Sequence, residues 1–111
     1  MTLDELRIFG ADVDDGLARC MNNEEFYLKM VDKCLADPKF AELGGVLSAG
    51  DLDMAYEISH ALKGTVSNLS LTPLRSEIEK LTDLLRNRAQ IDYNELYEAI
   101  MTKKKDLDRF R

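Results

Sequence analysis

The chain has 111 residues, about the size of one domain, so two independent domains are excluded. Hydrophobic residues make up 45% of the chain and charged residues 32%, a composition that predicts a globular rather than a disordered protein. The net charge of −6 argues against nucleic-acid binding, because affinity for a phosphate backbone requires clustered lysine and arginine. We expect a single domain over residues 1–111, and a monomer.

Targeting and metal-binding features are not predicted. No apolar run approaches the roughly 20 residues of a membrane-spanning helix, and Met1–Asp15 is acidic where a signal peptide would be basic and then apolar. We therefore expect a soluble, cytoplasmic protein that does not bind membranes. The cysteines, Cys20 and Cys34, fall in predicted helices of a chain with one histidine. They are interpreted as small buried side chains, and no metal site is expected.

The apolar residues repeat at helical spacing nearly throughout, which predicts an all-α fold. Two short helices come first, one opened by a capping box of Thr2 with Glu5 and one capped by Asp12. Later helix starts are predicted at Asn22 with Glu25, Asp37-Pro38, Asp51, Thr72-Pro73 and Asp92 with Glu95. Four substantial helices with short connections predict an antiparallel four-helix bundle, covered by one or two short N-terminal helices.

The helix after Asp51 has the most regular pattern. Its predicted buried seam advances by steps of three and four residues and consists of Leu52, Ala55, Ser59, Leu62, Val66 and Leu69. His60, the only histidine, follows a seam position by one residue, and a helix turns roughly 100° per residue. The imidazole is therefore predicted to lie on the flank of the seam and to reach solvent.

The residues that share the His60 stripe favour a phosphoryl group on the imidazole. Gly64, one turn beyond His60, costs the helix about 1 kcal/mol relative to alanine, and it clears space beside the ring. Lys63 lies on the same face and would offset added negative charge. A histidine on a helix flank with no function is the plain alternative that these residues alone leave open.

The segment Ser59–Leu69 closely resembles the signature of histidine-containing phosphotransfer (HPt) domains: His-x-Leu-Lys-Gly, three residues, then Asn-Leu and a small residue. Ser59 stands where alanine is common in that family, and Ser70 where glycine or alanine is common. Thr82 stands where some members have a glutamine that orients the imidazole. The resemblance implies that His60 accepts a phosphoryl group and leaves the orientation of the ring in question.

The resemblance implies a phosphorelay intermediate of two-component signal transduction. His60 would accept a phosphoryl group from a receiver-domain aspartate and pass it to another receiver. The expected partners are response-regulator receiver domains and a hybrid sensor histidine kinase. The chain has no ATP site or cofactor of its own, so Mg²⁺ is expected in the receiver, and the protein is not a complete enzyme. The initial methionine favours a free-standing carrier slightly.

Further residues are assigned to the site in the same terms. Lys63 and Gly64 act beside His60, and Asn68 is interpreted first as a residue that positions the helix end. The remaining predicted contacts near His60 are Tyr56, Ser67, Asn68, Thr82 and Arg86. Exposed apolar residues of the N-terminal cover are also expected to contact the partner, and the candidates are Leu6, Phe9 and Val13.

Two other classes of function compete with this interpretation. A helical interaction module could bind receivers or kinases without being phosphorylated, but the joint presence of His60, Lys63 and Gly64 favours the carrier. A general acid/base enzyme would need a carboxylate beside His60, and Glu57 is the one candidate at helical spacing. Haem or di-metal bundles require more ligands than one histidine supplies.

Overall fold

A computed structural model describes residues 1–111, and every regular element in it is an α-helix, which confirms the predicted all-α class. Two seven-residue helices come first and five helices of ten or more residues follow. The helices are α1 (Leu3–Phe9), α2 (Val13–Arg19), α3 (Glu24–Leu35), α4 (Lys39–Ser48), α5 (Leu52–Asn68), α6 (Thr72–Arg86) and α7 (Asn94–Asp108).

Three of the predicted helix starts are confirmed by side-chain caps. Thr2 and Glu5 form the reciprocal capping box, in which the Glu5 amide donates to Thr2 Oγ1 over 3.1 Å. Asp12 accepts from the Asp15 amide over 3.2 Å, and Asp51 accepts from the Met54 amide over 3.1 Å. Each cap satisfies a backbone donor that the first turn of a helix leaves unpaired.

Two predicted capping boxes are wrong. Asn23, and not Asn22, caps α3 by accepting from the Phe26 amide, because Met21 and Asn22 form a turn with φ of 58° and 56°. The helix start is thereby displaced by one residue. Asp92 accepts from the Asn94 amide over 2.9 Å and so closes a turn ahead of α7, which has no side-chain cap.

The two proline-containing starts also differ from simple caps. Asp37 accepts from the Lys39 amide over 2.9 Å, two residues on, in the manner of a local turn. Thr72 is already the first residue of α6, and its hydroxyl donates to the carbonyl of Ser70. In both cases the proline lies where its missing N–H group leaves no hydrogen bond unmade.

Helix α5 occupies a central place, packed against α4 on one side and α6 on the other. Helix α7 contacts α6, α4, α3 and α1. The predicted α5 seam is confirmed: Leu52 is partly buried against the core, and the other seam residues are buried. Cys20 and Cys34 are free and buried as predicted, and burial raises the pKa of the Cys34 thiol to about 11. None of the helices combines the length and apolar character of a membrane crossing.

Helices α1 and α2 form an N-terminal cover, and its apolar residues point inwards. Leu6 is 0% exposed and Val13 is 2% exposed, so the expectation that they lie on a docking surface is wrong. Phe9 is partly buried and packs against the core. Short helices are held to a domain mainly by burial of their apolar side, which is why these residues are not free. The exposed apolar residue of α1 is Ile8, at 80%.

The cover is fastened to the turn between α5 and α6. The Asp12 amide donates to the carbonyl of Ser70 over 3.0 Å, and the Ser70 hydroxyl donates to Asp15 Oδ2 over 2.5 Å. From α3, the buried Tyr27 hydroxyl donates to the carbonyl of Leu69 over 2.8 Å. The end of α5 is therefore fixed by partners that come from much earlier in the chain.

Candidate functional site

His60 is the ninth of the seventeen residues of α5, and its side chain is exposed, as predicted. The preceding seam residue, Ser59, is fully buried, and its hydroxyl donates to the Tyr56 carbonyl over 3.2 Å. A position in the middle of a hydrogen-bonded helix fixes the backbone from which the imidazole projects. The ring is thus presented to solvent by a rigid support.

Tyr56, one turn before His60, stacks on the imidazole. The ring centroids lie 5.7 Å apart and the planes differ by 18°, an offset parallel arrangement typical of aromatic pairs. Tyr56 is half-buried and packs against the core. The stack covers one face of the imidazole and leaves the other open.

Lys63 and Gly64 lie one turn after His60. Lys63 is half-buried and forms no ion pair, whereas the neighbouring α6 residues Arg75 and Arg86 are paired with Glu79 and Asp83. Its ammonium group is therefore available to an incoming anion.

Gly64 is exposed, and a Cβ atom built on it would meet no atom within 4 Å. Nothing within the protein requires a glycine at this position, since the helix is regular and the neighbouring space is open. The missing side chain leaves open space one turn from the imidazole.

Ser67 and Asn68 lie towards the end of α5, farther from the imidazole. Ser67 is half-buried and lines a polar notch of about 340 Å³ that also includes Ser70 and Arg75. Asn68 is exposed and is the last residue of the helix. These two residues continue the His60 stripe along α5 without contacting the ring.

The structure does not bring Thr82 to this face. Thr82 is fully buried, and its hydroxyl donates to the carbonyl of Ile78, one turn earlier in α6, over 2.7 Å. The short side chain of a threonine can donate its hydroxyl hydrogen bond to a backbone carbonyl one turn earlier in the same helix. The longer side chain of a glutamine at this position would not make that bond. The imidazole therefore receives no hydrogen bond from Thr82.

Arg86, by contrast, is exposed on this side of α6. It donates to Asp83 Oδ1 over 3.0 Å and lies beside the Tyr56 hydroxyl, a contact that raises the pKa of the Arg86 guanidinium. With Tyr56 and Glu57 it lines a shallow groove of about 350 Å³ between α5 and α6. Glu57, the carboxylate at helical spacing from His60, makes no hydrogen bond to the imidazole.

Sequence reasoning placed Tyr56 on the His60 stripe but missed that the two rings stack. The spacing of four residues was the available indication, because side chains at that spacing lie one above the other on a helix. The contact between Tyr56 and Arg86 joins two helices and has no counterpart in the local pattern. The link between Arg88 and Asp53, 2.5 Å long, closes the same groove and is equally non-local.

Comparison with protein-family models, curated proteins and solved structures gave no match. No group of three or more histidine, cysteine, aspartate or glutamate side chains is placed to hold a metal ion. This face therefore offers an exposed imidazole, an ammonium group free of ion pairs and open space at Gly64.

Proposed function

We propose that this protein is a phosphocarrier of the histidine-containing phosphotransfer type, in which His60 is the residue that carries the phosphoryl group. The observation that supports this most is the exposed imidazole in the middle of α5, with Lys63 free of ion pairs and open space at Gly64. The sequence resemblance over Ser59–Leu69 points to the same residues.

The helices are proposed to serve this function as an antiparallel four-helix bundle made of α4, α5, α6 and α7. Each of these four helices contacts the next along the chain, and α4 contacts α7, so the set closes on itself. Helices α1 and α2 would then be the cover, and α3 would pack beside the bundle on α7. Such a bundle holds α5 firmly while leaving one of its flanks free.

The proposed reaction is transfer between an aspartate of a receiver domain and His60. A nitrogen of the neutral imidazole attacks the phosphorus atom of the aspartyl phosphate, the N–P bond forms, and the O–P bond to the aspartate breaks. Mg²⁺ belongs to the receiver. Lys63 offsets the charge on the phosphorylated ring, and Gly64 leaves room for the approach of the receiver. Transfer to a second receiver is the reverse step.

The proposed partners are therefore cytoplasmic receiver domains and a hybrid sensor histidine kinase that contains one. A carrier docks repeatedly on such domains and needs only one exposed nucleophile. The net charge of −6 and the absence of a second histidine are compatible with this role.

Incubation with a panel of phosphorylated receiver domains tests the proposal. The expected result is incorporation of phosphate that is labile in acid and stable in base. His60→Gln should abolish incorporation, because no other imidazole exists in the chain. The variant should keep its helical circular dichroism and cooperative melting, since His60 is exposed and glutamine is a good helix former.

Two outcomes would contradict the carrier role. Acid-labile phosphate on the His60→Gln variant would place the phosphoryl group elsewhere. Wild-type protein that binds receivers and takes no phosphate from any of them would instead identify a helical interaction module.

A further inference from the structure

The His60 imidazole lacks any hydrogen-bonded partner that fixes its ring plane. Thr82, on the neighbouring helix α6, is buried and donates its hydroxyl hydrogen bond to the Ile78 carbonyl. Glu57 and Lys63 make no hydrogen bond to the ring. An exposed side chain with two free torsions samples several rotamers, and only some of them present a ring nitrogen to a docked partner.

One contact does restrict the ring, and it is the stack with Tyr56. The rings are 18° from parallel at a centroid separation of 5.7 Å. Rotation of the imidazole away from this plane gives up the aromatic contact, so the stack favours one orientation over the others. Tyr56 belongs to the same rigid helix, and it is itself half-buried against the core.

Helix α6 faces the phenol of Tyr56 across the groove between α5 and α6. The Asp83 carboxylate accepts from Arg86 over 3.0 Å, and the Arg86 guanidinium lies beside the Tyr56 hydroxyl. The Tyr56 ring is therefore restrained by its packing against the core, with Arg86 beside its hydroxyl.

We infer that Tyr56 is the positioning residue of His60, and that its stacked ring orients the imidazole. This inference rests on the proposed phosphocarrier function. Tyr56 does not form or break a bond to phosphorus. It holds one face of the imidazole so that the nitrogen which attacks is presented at a constant angle.

The orientation of the ring is measured directly by nuclear magnetic resonance on the unphosphorylated protein. The chain has one histidine, so each imidazole carbon-bound proton gives one signal that needs no assignment among histidines. The stacked phenol should shift these signals upfield. Tyr56→Leu and Tyr56→Met should return them towards the values of a free imidazole, and Tyr56→Phe, which keeps the ring, should leave them in place.

The rate of phosphate transfer from a receiver to His60 is the second measurement. Tyr56→Leu and Tyr56→Met should each slow it about two- to tenfold, the range that corresponds to loss of one aromatic pair. Tyr56→Phe should restore the wild-type rate. Met54→Leu, a change on the same helix at a residue that is 47% exposed, is the matched control and should alter neither measurement. A methionine at position 56 is long enough to keep the core covered. Tyr56→Met therefore replaces Tyr56→Leu in both measurements if the leucine variant loses cooperative melting.

The outcomes separate this inference from the proposed function. Imidazole signals that are the same with and without the ring at position 56 would overturn the stack. Shifted signals with an unchanged transfer rate would overturn the positioning role, as would an equal loss of rate in Tyr56→Phe. Wild-type protein that accepts no phosphate would overturn the carrier proposal, whereas the resonance shifts would still decide whether Tyr56 orients the imidazole.

Discussion

Lys63 differs from most basic residues around the site in having no carboxylate partner. Arg75 and Arg86, on the neighbouring helix, are paired with acidic residues of their own helix. We expect Lys63→Ala to slow phosphate transfer about two- to fivefold without abolishing labelling, because one partly solvated cation contributes modestly to the stabilisation of added charge. Transfer kinetics measure this, with Lys29→Ala, an exposed lysine of α3, as the control. A rate unchanged by Lys63→Ala would show that the ammonium group does not act on the phosphoryl group.

At this scale the sequence predicted what depends on local spacing. The exposure of His60 and the burial of Ser59 beside it follow from the helical turn per residue. The burial of Leu6 and Val13 was not predicted in this way, and that of Thr82, which lies four residues after the buried Ile78, was overlooked. Whether a residue on a short or amphipathic helix faces the core depends on how that helix is rotated in the finished fold, and several rotations agree with the same pattern.

Three glycines lie inside helices α4 and α5, and they differ in how closely they are packed. Gly64 in α5 and Gly45 in α4 have open surroundings, whereas Gly44 in α4 lies against a side chain. A Cβ atom at Gly64 or at Gly45 would meet nothing within 4 Å, whereas at Gly44 it would lie 2.7 Å from the Tyr97 ring, whose hydroxyl donates to the carbonyl of Phe40. Gly64→Gln should raise the free energy of unfolding by up to about 1 kcal/mol through helix propensity. It should nevertheless slow transfer from a receiver by crowding the imidazole.

Chemical denaturation and transfer kinetics check this prediction, and the glycines of α4 supply the controls. Gly45→Gln should stabilise the protein similarly and leave transfer unchanged. Gly44→Ala should destabilise it, because the new methyl group displaces Tyr97 from its hydrogen bond. Transfer at the wild-type rate in Gly64→Gln would remove the steric role of that glycine.

The helices themselves were largely predictable, and their ends were less so. Apolar spacing and cap signals indicated each of the seven helical segments, but four substantial helices were predicted and five have ten or more residues. The caps at Thr2, Asp12 and Asp51 were predicted correctly from short side chains that precede apolar runs. The start of α3 was misplaced by one residue because Met21 adopts a positive φ, which a methionine seldom does. Such a conformation is imposed by the connection between packed helices and leaves no trace in composition.

For the whole molecule, the attachment of the N-terminal cover should depend on pH. The hydrogen bond from Ser70 is the main cause of a lowered pKa at Asp15, followed by the one from Arg19. A carboxyl group whose pKa is lowered in the folded state stabilises that state at pH values above the ordinary aspartate pKa of about 3.9. This stabilisation is lost as the pH falls through the lowered pKa of the folded state.

Ser70→Ala should therefore destabilise the protein at pH 7, and the difference from wild type should shrink below about pH 4. Alanine keeps a Cβ atom, so the positive φ at this position, 55°, is equally costly in both proteins. Urea unfolding at the two pH values is the measurement. Ser48→Ala, at an exposed residue of α4, should show no such change with pH. A difference between Ser70→Ala and wild type that persists undiminished in acid would mean that Asp15 does not hold the cover.

The hydrogen bonds at the α5–α6 turn join residues that are 42 and 55 positions apart in the chain. Helices α5 and α6, by contrast, are adjacent in sequence and can pair by closing a short loop, which costs less entropy. We therefore expect α5 and α6 to associate early in folding and the cover to close last. We expect local opening of the native protein to follow the reverse order: the cover should open first, while the pairing of α5 with α6 keeps the imidazole in place.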